Sequence, residues 1–178
     1  LLLKSLENTT KLYNETNAMY EEGIVENQGD GINQFWSLEL KNNSLTTQKV
    51  LTGIGKPGED IRAVRYDSGY AYLVTFKKTD PLYSINLTDA SAPILEGELE
   101  VPGFSMNLQP LNENLLLGVG YDAVDQGSFA LFQGIKVSLY DRQDKANISE
   151  IDSIIYGQRD SISDTTSDHR AIFIDSDH

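Results

Sequence analysis

The 178-residue chain sets 14 Lys and Arg against 27 Asp and Glu, a formal charge of −13, and holds no Cys and only 2 His. With a pI of about 4.4 it lacks the clustered positive charge that nucleic acids and anionic membranes demand, and no apolar run is long enough to span a bilayer. Without Cys there are no thiolate zinc sites, thiol nucleophiles or disulfides, and the length suits one domain with a real core.

Residues 1–30 read as mixed. Leu1 to Leu3 are too few for the apolar region of a signal peptide and are followed at once by Lys4. Leu6, Tyr13 and Tyr20 recur at the seven-residue spacing of a helical stripe, but Thr9, Thr10 and Asn14 are poor helix formers.

Short strands begin after Gly31. Phe35 to Leu40 alternates in its second half, Lys41 to Ser44 is a turn cluster, and Leu45 to Leu51 reads as the return strand. Gly53, Gly55, Pro57 and Gly58 break the chain. Their spacing matches a dinucleotide-binding glycine pattern, but Pro57 intervenes and no helix follows. Ile61 to Tyr66 alternates apolar and basic residues, Asp67-Ser68-Gly69 is a tight hairpin turn, and Tyr70 to Phe76 reads as a strand buried on both faces. Asp80-Pro81 reads as a turn, as do Thr88 to Pro93; Leu82 to Leu87 and Ile94 to Val101 are strands, closed by Pro102-Gly103.

The unit then recurs. Phe104 to Leu108, Leu115 to Gly120, Ile135 to Tyr140 and Ile148 to Tyr156 are four further strands, with residues 121–134 a polar insertion. A third copy is expected from Ser161, with a hairpin at Ser167 to Arg170 and its inner strand at Ala171 to Ile174. Gly58 lies 45 positions before Gly103 and Gly103 lies 54 before Gly157, the second interval lengthened by the insertion. Four short antiparallel strands repeating every 40–50 residues or so is the pattern of a β-propeller blade. One such sheet cannot bury both faces alone, so neighbours must stack. A β-sandwich also strings hairpins together, but here the order of strand types recurs as well. The expected architecture is all-β, a partial ring of about three to four blades: 31–58 (partial), 59–103, 104–158 and 159–178 (partial), with residues 1–30 an uncertain N-terminal segment or degenerate blade.

Candidate chemistry is sparse. Asp122 and Asp125 stand in the insertion as weak candidate calcium ligands, although they lack the dense acidic spacing of an EF loop. His169, between Asp168 and Arg170, fits a turn-stabilising role better than a general base without partners. Asp160, Asp164 and Asp168 recur every four residues in a Ser- and Thr-rich stretch that reads as loop. Asp67 and Asp89 fall in turns, where their carboxylates can accept backbone N–H bonds. Five Asn-x-Ser/Thr sequons, at Asn8, Asn14, Asn42, Asn86 and Asn147, fit chance in a chain rich in these residues, or mark exposed loops if the protein meets a glycosylating exterior.

Several strings carry a resemblance: Ala63 to Tyr66 followed by Ala71 to Phe76, Thr79 to Tyr83 continuing to Asn86 to Asp89, Leu95 to Leu99 with Val101 to Ser105, Leu116 to Gly120, Lys136 to Asp141, and Asp168 to Ala171. In order and spacing, residues 59–175 resemble the family of secreted bacterial and archaeal proteins with a C-terminal β-propeller distantly related to WD-type repeats. The resemblance implies an extracytoplasmic protein, secreted or at the cell envelope, and no known activity. The expected role is a non-catalytic ligand-binding or scaffold module whose ligand is a protein, a glycan or a small molecule. The alternative is a propeller hydrolase acting on polysaccharide through carboxylates at the central channel, although no pair of acids is singled out by the sequence.

Overall fold

A computed structural model describes residues 2–5, 32–76, 80–125 and 130–175. Among them three antiparallel sheets follow one another. β1 (Leu2–Ser5), β2 (Asn33–Lys41) and β3 (Ser44–Ile54) form the first, in the order β1-β2-β3. β4 (Asp60–Asp67), β5 (Tyr70–Phe76), β6 (Asp80–Asn86) and β7 (Ile94–Val101) form the second, in chain order. β8 (Phe104–Pro110), β9 (Leu115–Asp125), β10 (Ala130–Asp141) and β11 (Ser149–Tyr156) form the third, again in chain order. The second and third sheets are thus the same up-and-down module. The helical stripe read in Leu6, Tyr13 and Tyr20 lies outside the described residues.

Local chemistry sets the punctuation. Asn42 and Asn43, at φ 50° and 59°, make the two-residue turn between β2 and β3, and Ser68 and Gly69, at φ 50° and 80°, make the one between β4 and β5. Paired left-handed residues give the turn whose twist matches that of a hairpin. Gly58, Gly103 and Gly157 all take φ between 73° and 84° just after the outermost strand of their sheets, so one backbone bend ends each module.

The sheets stack face to face, and β5 shows how. Ala71 and Leu73 point to one side, into a cluster with Phe35, Ile54, Tyr83 and Ile85 of the first and second sheets. Tyr72, Val74 and Phe76 point to the other, into a cluster with Leu82 of their own sheet and Phe104, Leu108, Leu116, Tyr140 and Ile148 of the third sheet or its flanks. A sheet buried on both faces needs a neighbour on each, which separates this arrangement from a two-layer sandwich. Each fully buried large side chain contributes about 1.5–3 kcal/mol of hydrophobic free energy. β4 packs most closely on β8, so the first strands of the second and third sheets are innermost and these two sheets fan outward as propeller blades do. The described sheets do not close a ring.

Polar contacts lock the second sheet to the third at the end carrying the β4–β5 and β8–β9 hairpins. The Arg142 guanidinium, fully buried, pairs with Asp67 at 2.5 Å, donates to the Asn112 carbonyl at 2.5 Å and lies 4.9 Å from the centre of the Tyr72 ring. Asp67 therefore serves as an inter-sheet anion, in place of the turn acceptor read from the sequence. Ser84 donates its hydroxyl to the Lys145 carbonyl at 2.5 Å. Toward the other end, Lys136, also buried, pairs with Glu150 of its own sheet at 2.8 Å and donates to the Pro102 carbonyl, in the link from β7 to β8, at 2.8 Å.

Three segments depart from expectation. Asp80-Pro81 opens β6 and is no turn: pairing of β6 with β5 stops at Leu82, so the missing Pro81 N–H leaves no gap in that ladder. Residues 121–134 are no loose insertion, because β9 runs to Asp125 and β10 starts at Ala130, with Val124 opposite Leu131 and Ala123 opposite Phe132. Residues 159–175 form no hairpin and no strand. Two short 3-10 turns, Asp164–Thr166 and His169–Ala171, stand there, the second capped by the Asp168 side chain accepting from the Arg170 N–H.

The turn carboxylates give an acid-stability prediction. Hydrogen bonds from Ser91 hold Asp89 below its ordinary value, and hydrogen bonds from Asn147 and Ala146 do the same for Asp144. A carboxyl group with a lowered folded pKa stabilises the fold above its unfolded value, here 3.8, and that contribution is lost as the pH falls through the folded value. The melting temperature is expected to decline below about pH 4, and a double Asp89→Asn, Asp144→Asn variant should decline less steeply. Circular dichroism melts between pH 6 and pH 2 check this; identical slopes would remove these two groups from the account.

Candidate functional site

A polar and aromatic groove of about 250 Å³ lies at the opposite end of the third sheet, where the β9–β10 hairpin and the chain leaving β11 come together. Its lining includes Tyr121, Phe132, Gln133, Gln158, Arg159 and Asp160. The register between β9 and β10 slips between Phe132 and Ile135, so Gln133 and Gly134 form a bulge, a device that re-aims the side chains beside it. Across the groove, the Gln158 N–H donates to Ser161 Oγ and the Ser161 N–H to the Gln158 carbonyl, both at 3.0 Å. These two bonds close a turn in which Asp160 sits at φ 68°. Asp tolerates this region better than most residues, but the conformation carries strain.

The aromatic floor is continuous with the core. Phe76 stacks on Phe104 with ring centres 4.3 Å apart, Phe132 lies 5.2 Å from Phe104 and 5.5 Å from Phe76, and Tyr121 stacks on Phe132 at 5.8 Å and 22°. Phe132 keeps 41% of its surface exposed. Behind it the first 3-10 turn is pinned by Tyr121 Oη with Thr166 Oγ1 at 3.1 Å and by Asn107 Nδ2 donating to the Thr165 carbonyl at 3.2 Å. The rim carries one cation and one anion side by side, Arg159 and Asp160, both exposed. Among the described residues the side chains of Gln133, Gln158, Arg159 and Asp160 enter no hydrogen bond or ion pair, whereas Asp168 and Arg170 nearby are paired at 2.9 Å.

The residues singled out in the sequence fall elsewhere. Asp122 is a half-buried position of β9, outside the groove lining, and Asp125 closes β9 opposite Ala130, its side chain lying outside the described set. Among the described residues no group of three or more His, Asp and Glu side chains gathers in a way that could hold a metal ion. His169 is exposed in the second 3-10 turn. Asp160, Asp164 and Asp168 occupy a groove rim, a 3-10 turn and a cap in turn, and Arg170 hydrogen bonds hold Asp168 below the usual carboxylate range. Of the sequons, Asn42 is exposed at a hairpin tip, Asn86 donates to Tyr70 Oη at 3.2 Å and Asn147 donates to Asp144 Oδ2 at 2.8 Å; Asn8 and Asn14 lie outside the described residues. Sequence reasoning missed the groove because its residues come from two separate stretches, one read as a polar insertion and the other as the start of a further blade.

Comparison with known proteins agrees with the stacked sheets. An uncharacterized protein of Methanocaldococcus jannaschii is 39% identical over 116 residues, 65% of this chain and 17% of the relative. An uncharacterized protein of Archaeoglobus fulgidus is 36% identical over 120 residues, 67% of this chain and 18% of the relative. The chain therefore spans less than a fifth of the length of these curated relatives. No solved structure gives a significant match. A family model described as "Beta propeller domain" matches residues 16–178, and with two repeated four-stranded sheets buried against each other the chain belongs to that family.

Proposed function

We propose that this chain is a non-catalytic binding module, exported to the cell envelope or beyond, that holds its ligand in the groove between the β9–β10 hairpin and the turn at residues 158–161. One observation carries the reading: an exposed aromatic face there is ringed by four polar side chains with no partner among the described residues. Uncommitted polar groups around an apolar surface are the make-up of a small-ligand site. Its position on a bulged hairpin and a strained turn, held by a rigid sheet, is where binding residues concentrate. The resemblance to secreted proteins supports the extracytoplasmic placement.

The test is a fragment screen by amide chemical shifts on the full chain. Bound fragments are expected to move resonances of Gln133 to Ile135 and Gln158 to Ile162, and Phe132→Ala should weaken the best of them at least tenfold, the loss of roughly 1.4 kcal/mol or more that a stacked ring supplies. Shifts clustering away from the groove would overturn the assignment. For the placement, surface protease should digest the protein on intact source cells; protection until lysis would count against export.

A further inference from the structure

We infer that the groove takes a single neutral sugar ring, one residue of a polysaccharide; this rests on the binding-module reading above and narrows it to a ligand class. Size comes first. About 250 Å³ falls below the roughly 300–1,000 Å³ of pockets that enclose drug-sized molecules, so one ring fits and an extended ligand passes over the rim.

Chemistry comes second. Phe132, supported from behind by Tyr121 and Phe104, offers the negative face of its ring, which attracts the weakly positive C–H face of a pyranose. Gln133 and Gln158 each supply a carbonyl acceptor and an NH₂ donor, Arg159 supplies donors only and Asp160 acceptors only. A hydroxyl both donates and accepts, so neighbouring hydroxyls on a ring match this mixed set, whereas a ligand of uniform polarity engages only half of it.

Charge comes third. Arg159 and Asp160 stand next to each other on the rim, so their charges cancel for a ligand touching both. An anion meets the Asp160 carboxylate and the field of a chain at −13; a cation meets the Arg159 guanidinium. A neutral ligand avoids both conflicts. Asp160 lines the groove in the left-handed region, at φ 68°, and a conformation of this kind is retained where the surrounding structure over-determines it.

The experiment titrates the full chain with neutral oligosaccharides of glucose, mannose and galactose, following amide shifts and binding heats. At least one is expected to move the resonances of Gln133 to Ile135 and Gln158 to Ile162. Phe132→Ala should weaken it at least tenfold and Phe132→Tyr should retain it. Asp160→Gly keeps the left-handed backbone while deleting the carboxylate; it should weaken binding about fivefold without lowering the melting temperature. Silence from all the sugars, or binding indifferent to Phe132→Ala and Asp160→Gly, overturns the inference. A proline-rich peptide and the fragment set run in parallel. If they move the groove and sugars do not, the sugar assignment falls and the binding module stands; if nothing moves the groove, both fall. Release of new reducing ends would keep the sugar and overturn the non-catalytic reading.

Discussion

Replacing Asp67 with Ala is expected to lower the melting temperature by roughly 6–20 °C, the consequence of about 3–5 kcal/mol lost when one partner of a buried ion pair is removed. The Arg142 side chain is only 1% exposed and meets Asp67 at 2.5 Å between the second and third sheets. Without the carboxylate, a guanidinium that no solvent reaches keeps the Asn112 carbonyl and the Tyr72 ring as partners, too little to offset its desolvation. Asp67 is itself a quarter exposed, which places the effect toward the lower end. The double variant Asp67→Leu, Arg142→Met removes both charges and should recover most of the loss, because an apolar pair of similar volume is often neutral in such a position. Thermal melts of the single and double variants decide it. A single variant within about 2 °C of the parent would mean that solvent or other groups screen the pair.

Gly120→Ala is expected to abolish folding. A Cβ at Gly120 would overlap the Phe104 carbonyl oxygen and stand 2.7 Å from the Phe104 carbonyl carbon and 2.8 Å from Ser105 Cα. These are backbone atoms of the innermost strand β8, paired directly with β9 at Ser105 and Gly120, so no side chain can swing aside. Relief requires parting the two strands where Phe104 stacks on Phe76. The cost exceeds the 1–3 kcal/mol usual for overpacking and reaches the exceptional class above about 4 kcal/mol, against a total stability of only about 5–15 kcal/mol. The readout is soluble yield and amide dispersion, with Ser153→Ala on the exposed β11 as the matched control. A well-folded Gly120→Ala protein would show that β8 and β9 part at little cost.

Most of the fold was legible because its signals are local. Alternation in Ile61 to Tyr66, the dense apolar run of Tyr70 to Phe76, and the glycines at 58, 103 and 157 each report a short-range constraint, and their recurrence gave the repeat. What was not legible depends on pairs distant in sequence. Nothing near Asp67 announces Arg142. Phe76, Phe104, Tyr121 and Phe132 come from four different strands, so no window contains the aromatic cluster. In residues 121–134, Asp, Gln, Gly and Ser diluted the alternation that Tyr121, Ala123, Leu131 and Phe132 still carry as strand. Near residue 170 the error ran the other way: Ala171 to Ile174 has the composition of a strand, but among the described residues no strand lies alongside to pair with it, and the Asp168 cap closes a 3-10 turn there.

The ridge of rings running from Phe76 through Phe104 to Phe132 has a thermodynamic corollary. Its buried end joins two blades while its outcrop, Phe132, forms part of the groove floor beside Tyr121, so the exposed ring is braced by rings of the core. On the binding-module proposal, a guest settling on Phe132 would meet a braced surface and forfeit less side-chain entropy on arrival, and its free energy of docking would be returned to the parent molecule as resistance to heat.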